Sequence, residues 1–263
     1  MTEKKYRLDE MTYVEVREAI DRGIDTVVCP VGATEQHGLH GVLGIDSFCA
    51  LKVGEKVAQK AKALLAPLMP YGMSSSHMSY PGTISLSNET LVHVMRDIYR
   101  SLTTDGFKKI IVVNGNEPNY YSMVPVAREI REDTGVLIAI SNWYAALMEI
   151  WKELPGIKGT EREQWRWPNF MAHGGLLETA AAMTYKADIF RMDQAVTYPP
   201  DRREAISNPV LTAPVKMEEV CKFGSYGDPR AASKELGEKW VEMAATRIVE
   251  RFDLLVKTLA EKV

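Results

Sequence analysis

Hydrophobic positions in the first 140 residues alternate between two periods. Asp25–Val31 (DTVVCPV), Lys109–Val113 (KIIVV) and Val136–Ile140 (VLIAI) are short, nearly continuous apolar runs rich in β-branched residues. That is the pattern of parallel strands buried on both faces. Leu64–Met69 (LLAPLM) is a fourth apolar run, without β-branched residues and ended by Pro70. Between the runs the spacing turns helical. Thr12–Arg22 is closed by Gly23, and Asp46–Ala63 carries Phe48, Leu51, Val57 and Ala61. A further helix, capped by Ser87 or Asn88, places Leu91, Met95, Ile98 and Leu102 on one stripe and ends at Gly106. A helix around Ser122–Glu132 precedes the last strand. This repeated order predicts an α/β fold with a mostly parallel sheet covered by helices on both faces. Ligands in such folds bind beyond the C-terminal strand ends. Three polar, glycine-containing loops fall there: Gly32–Gly44, Tyr71–Gly82 and Asn114–Tyr121.

The pattern loosens from Trp143. Trp143, Trp151, Trp165 and Trp167 crowd one segment, mixed with the charged run Lys158–Arg166. Two readings are open, a packing lobe or an aromatic wall over a site. Leu176–Tyr185 reads as a helix, and Ala231 to the C-terminus as a long amphipathic one. With no internal repeat or linker, the 263 residues read as one domain. Lys and Arg total 32 against 35 Asp and Glu, which leaves no electrostatic case for nucleic-acid binding. Three widely spaced cysteines, Cys29, Cys49 and Cys221, fit a reducing compartment and structural roles. The uncharged stretch Ala63–Asn88 contains Pro67, Pro70, Gly72, Pro81 and Gly82, so it is a loop around a site and not a membrane helix. The N-terminus carries no apolar leader core. A cytoplasmic protein is expected, without membrane or nucleic-acid partners.

The chemistry concentrates in the first loop, Thr34-Glu35-Gln36-His37-Gly38-Leu39-His40, followed by Asp46 at a helix start. In an extended stretch Glu35 and His37 point to the same side. Two carboxylates and an imidazole converging at a strand end suit a divalent metal; the competing reading is a solvated turn with Asp46 as a helix cap. Of five histidines, His93 lies in an amphipathic helix, whereas His37, His40, His77 and His173 lie in loops with glycine nearby. His173-Gly174-Gly175 runs into a helix carrying Glu178. No G-x-G-x-x-G or P-loop pattern is present, and the cysteines sit poorly for nucleophilic work.

Five motifs, in order, resemble those of the creatininase family: PVGATEQHG followed by GID (Pro30–Asp46), PYGMSSSHMSYPGTISL (Pro70–Leu86), VVNGNEPN (Val112–Asn119), AHGGLLET (Ala172–Thr179) and FGSYGDPRAAS (Phe223–Ser233). The resemblance implies a three-layer α/β/α fold, a two-metal centre of Zn²⁺, Mn²⁺ or Fe²⁺, and a homo-oligomer, commonly a hexamer. It implies hydrolysis of cyclic amides, formamides or related bonds. Glu35 and His37 match metal ligands, Asp46 the bridging carboxylate, and His173 the active-site histidine that transfers protons. Glu178 matches a glutamate that is ligand, catalytic group or support.

Two positions depart from the family. A histidine ligand is replaced by Asn116, and the glutamate ligand of creatininase proper by Pro118. A site rewired through Glu117 or Glu178, a site with one ion instead of two, and an inactive metabolite-binding relative are the readings that follow. Loss of that glutamate disfavours creatinine itself. The expectation is therefore a ring-opening hydrolase cleaving a C–C bond in a cyclic diketone such as a diketo-inositol, with a cyclic amide or formamide as the alternative. Candidate substrate contacts are Ser76, His77, Asn116, Glu117, Tyr120 and Trp167.

Overall fold

A computed structural model describes residues 5–156, 172–197 and 214–261. Four strands form one parallel sheet in the order β2-β1-β3-β4: β1 (Thr26–Val31), β2 (Leu64–Leu65), β3 (Lys109–Asn114) and β4 (Leu137–Asn142). All six residues of β1 are buried, as an interior strand covered on both faces requires. Strand alternation sends Val28, Leu65, Ile111 and Val113 to one face and Val27, Cys29, Ile110 and Val112 to the other.

The first face is covered by α2 (Ile45–Ala61), α5 (Trp143–Glu149), α6 (Leu176–Met183) and α8 (Lys234–Ala260), which supply Cys49, Val53, Trp143, Leu177, Trp240 and Ala244 to its core. The second is covered by α1 (Tyr13–Asp21), α3 (Asn88–Asp105) and α4 (Glu117–Thr134), with Leu91, Met95, Tyr99, Met123 and Ile130 packed beneath. A short α7 (Met217–Val220) precedes the last helix. The result is a three-layer α/β/α architecture, and among the described residues no helix is long and apolar enough to cross a membrane.

Two boundaries differ from the sequence reading. The second apolar run is a strand only at Leu64–Leu65. Its continuation holds the sheet through single contacts, Ala66 N–H to Val28 and Met69 N–H to Pro30, because Pro67 interrupts the ladder. Helix α4 begins at Glu117 rather than near Ser122, since Pro118 sits in its first turn, where a missing N–H costs nothing. Pro125 lies further along α4 on an exposed face. Trp143 belongs to the core and is fully buried, whereas Trp151 is 38% exposed. Trp165 and Trp167 lie outside the described residues, so the aromatic-wall reading does too.

Candidate metal centre

The chain leaves β1 at Val31 and is pinned at once. Ser47 Oγ donates to Ala33 O, Thr34 Oγ1 to Pro70 O, and the Glu35 N–H to Leu43 O. The loop is thereby fixed between the start of α2 and the 70–85 segment, with Glu35, His37 and Asp46 all buried. Asp46 lies in the first turn of α2, where the helix dipole favours a carboxylate. The Ala172–Gly175 turn arrives from the other side. Gly174 has φ +64°, and a Cβ there would meet Ser225 Cβ at 2.8 Å and His37 O at 3.0 Å. This close approach needs glycine, and it aims the Gly174 N–H at Glu178 Oε2, 2.8 Å away.

One nitrogen or carboxylate oxygen each from Glu35, His37 and His173 lies within 4.8 Å of the others. His37 Nδ1 is 3.0 Å from Glu35 O, a carbonyl that only accepts, so Nδ1 carries the proton and Nε2 the lone pair. That lone pair faces Asp46 Oδ1 at 3.0 Å and Glu178 Oε2 at 3.8 Å. Two acceptors at 3.0 Å repel unless a proton or a cation lies between them. Glu35 Oε2 and Asp46 Oδ2 are buried without a hydrogen-bond partner, and among the described residues neither carboxylate pairs with a lysine or arginine. Burial pushes the Glu35 carboxyl well above the ordinary carboxylate range, with Asp46 adding repulsion, and burial does the same to Asp46. Buried acceptors lacking positive charge fit a divalent cation.

Two further loop histidines, His77 and His40, are held neutral by burial. Burial lowers the pKa of His77 to about 3 and that of His40 to about 4. His40 Nε2 lies 3.1 Å from Thr179 Oγ1, and it is not one of the three clustered ligands. His77 stands inside it. Its ring centroid is 4.4 Å from that of His173, and both rings face Glu35 Oε1, His77 Nε2 and His173 Nδ1 each at 3.6 Å.

Other candidate residues lie apart. Asn116 is buried at the end of β3, its Nδ2 donating to Met73 O. The next residue, Ser74, has its hydroxyl beside Glu35. Glu117 is exposed at the first residue of α4. Tyr120 is 36% exposed and stacks edge-on against Tyr121, and Ser76 is half-buried, so neither is brought into the cluster. The three cysteines are buried, and burial raises the Cys29 thiol to about 12, which suits structural roles.

Sequence reasoning overlooked Gln36. Alternation along the loop directs it away from Glu35 and His37, yet its side chain reaches His77, His173 and Gly224. Those residues are 41, 137 and 188 positions away, beyond any local signal.

A family model described as Creatininase: Creatinine amidohydrolase matches residues 9–252. Over 265 residues the chain is 28% identical to a creatinine amidohydrolase of Pseudomonas putida, covering 94% of this chain and 96% of that protein. It is 26% identical over 195 residues to a 3-dehydro-scyllo-inosose hydrolase of Thermotoga maritima, covering 72% and 59% respectively. Solved creatininases, a manganese form and a zinc–zinc form of a mutant among them, superpose with a TM-score of 0.77 at 26% identity, covering 95% of this chain and 98% of theirs.

Proposed function

The chain belongs to the creatininase family of metal-dependent hydrolases, and from that premise we propose that it opens a small polar ring by hydrolysing a C–C bond in a cyclic diketone of the inositol series. We read the 263 residues as one domain built around that site, in keeping with the length of the family match. Glu35, His37 and Asp46 would hold the ion, with Glu178 able to contribute from α6. The observation that carries the reading is the pair of unpartnered buried carboxylate oxygens beside the His37 lone pair. A bound divalent ion supplies a Lewis acid for a carbonyl and lowers the pKa of a water toward about 7.

The chain's own residues account for the rest. Water gives a proton to His173 Nδ1 and adds as hydroxide to one ring carbonyl carbon, and the bond from that carbon to the carbon it shares with the second carbonyl breaks. The electron pair leaves as an enolate conjugated with the second carbonyl. His173 then returns a proton to the enolate carbon, leaving a carboxylic acid and a ketone in one open chain. His173 suits this role because its Nδ1 lies beside Glu35 within the cluster. The diketone is preferred to an amide because of Asn116. Its Nδ2 is committed to Met73 O, which leaves an amide oxygen, a weak metal ligand and a good acceptor for substrate hydroxyls. The inosose hydrolase relative supports the same choice. A cyclic-amide substrate is the second reading, favoured by the nearly full-length match to creatinine amidohydrolase.

The experiment is a side-by-side assay of the protein loaded with Mn²⁺ or Zn²⁺ against 3-dehydro-scyllo-inosose, creatinine and an N-formyl amine. Consumption of the diketone with release of one acid per ring is expected. Faster turnover of creatinine would reverse the assignment, and failure to retain any metal would point to an inactive relative.

A further inference from the structure

Gln36 makes polar contacts on several sides of the cluster, and their chemistry is determinate. Its Oε1 accepts the Gly38 N–H at 2.9 Å, and its Nε2 donates to Gly224 O at 2.7 Å. An N–H can only donate and a carbonyl only accept, so the orientation of the amide is not free. Gly224 holds this contact from a left-handed φ of +78°, and a Cβ there would collide with Gln36 Oε1. The second proton on Nε2 then points to His77 Nδ1 at 2.7 Å, which must accept it. His77 therefore carries its own proton on Nε2, the nitrogen facing Glu35.

The main chain of the same residue acts on the other ring. His173 Nε2 lies 2.7 Å from Gln36 O, so it must donate, and the lone pair of His173 is on Nδ1. The 3.2 Å approach between Gln36 Nε2 and His173 Nε2 is thus a contact of two donors and not a hydrogen bond. Two neighbouring imidazoles meet Glu35 Oε1 at the same 3.6 Å with opposite groups, an N–H from His77 and a lone pair from His173.

We propose that Gln36 is a positioning residue that locks His77 and His173 each in its Nε2–H tautomer, so that the site offers a bound substrate one neutral donor and one acceptor side by side. The His77 N–H would hydrogen-bond a substrate oxygen without adding positive charge next to the ion, while His173 Nδ1 handles the proton. This rests on the reading of the cluster as the reaction site; the tautomers themselves do not depend on which substrate is used.

Protein labelled with ¹⁵N at histidine and loaded with Zn²⁺ alone tests it, through long-range proton–nitrogen spectra of the rings, with His77→Asn identifying the His77 signals. The expected wild-type pattern is an unprotonated Nδ1 and a protonated Nε2 on His77. Gln36→Glu turns the donor into an acceptor and is expected to move the His77 proton to Nδ1. Gln36→Met removes the donor and is expected to give mixed tautomers, with kcat down about 100-fold and metal content and KM nearly unchanged. A wild-type His77 protonated on Nδ1, or a Gln36→Met protein that keeps the pure Nε2–H form, overturns the proposal. If both variants fail to fold, the wild-type spectrum still decides the tautomer. Lack of diketone turnover, with the spectra as expected, would count against the substrate and not against Gln36.

Discussion

The loops that follow β1 and β3 leave the same sheet side by side, Val31 being in register with Asn114, yet they are electrically opposite. After β1 come Glu35, His37 and Asp46, buried acceptors that face one another without compensating charge. After β3 the buried polar side chains are amides, Asn114, Asn116 and Asn119, with Glu117 exposed, and the amides largely satisfy one another. Asn114 Nδ2 donates to Asn116 O and Asn142 Oδ1, and Asn119 Nδ2 donates to Gly32 O and Asn114 Oδ1. Asn119 Oδ1 in turn accepts the Met73 N–H. A neutral hydrogen-bonded network is complete by itself, whereas buried carboxylates without cations are stable only with a proton or a metal. The first loop is therefore the one suited to a cation, and the second is a self-satisfied wall beside it.

The contrast can be broken most severely at Asp46. Asp46→Ala is expected to lose both metal and turnover while keeping its circular dichroism spectrum; stoichiometric metal in that variant would show that the first loop is not a metal site. His173→Asn should retain its metal and lose about 10²–10⁴-fold in kcat. Metal loss there would make His173 a ligand instead.

The second loop should respond in stability rather than chemistry. Asn119→Ala strands the Met73 N–H and Gly32 O, and about 2–4 kcal/mol of destabilisation is expected in urea titrations, with metal affinity unchanged. Asn116→His exchanges an amide for an imidazole, the better Zn²⁺ ligand where residue 116 faces the ion. Tighter Zn²⁺ binding by calorimetry and slower native turnover are expected. Unchanged affinity would mean that residue 116 does not face the ion.

The smallest effect is on pH dependence. The raised Glu35 and Asp46 carboxyls bind more protons in the folded, metal-free protein than in the unfolded chain, so their contribution to stability falls as pH rises above about 4. The depressed His40 and His77 act in the opposite sense below about pH 6.5. Comparing loaded with metal-free protein largely cancels the histidine contribution. The thermal stabilisation given by Mn²⁺ should therefore grow from pH 5 to pH 8, and a flat difference would contradict the carboxylate assignment.

Much of this was legible in the chain because it is written in local periods. The apolar runs Asp25–Val31, Lys109–Val113 and Val136–Ile140 declare strands within two residues of the observed bounds, and Leu91, Met95 and Leu102 declare the buried stripe of α3. Two boundaries shifted at prolines: Pro67 cut the second strand short, while Pro118 is tolerated in the first turn of α4, which starts five residues before the expected Ser122. Glu35, His37 and Asp46 could be named as one group because a tight loop and a helix start keep them within twelve residues of chain.

The sequence by itself therefore determined the α/β alternation, the loops at the strand ends and the family. The tertiary structure alone decided what surrounds those loops: that His77 and His173 stand against Glu35, that Glu117 is exposed while Glu35 and Asp46 are buried, and that Gln36 spans to Gly224. The reason is physical. Hydrophobic period is a property of neighbouring residues, whereas burial, charge balance and the tautomer of a ring depend on which distant groups arrive within 3 Å.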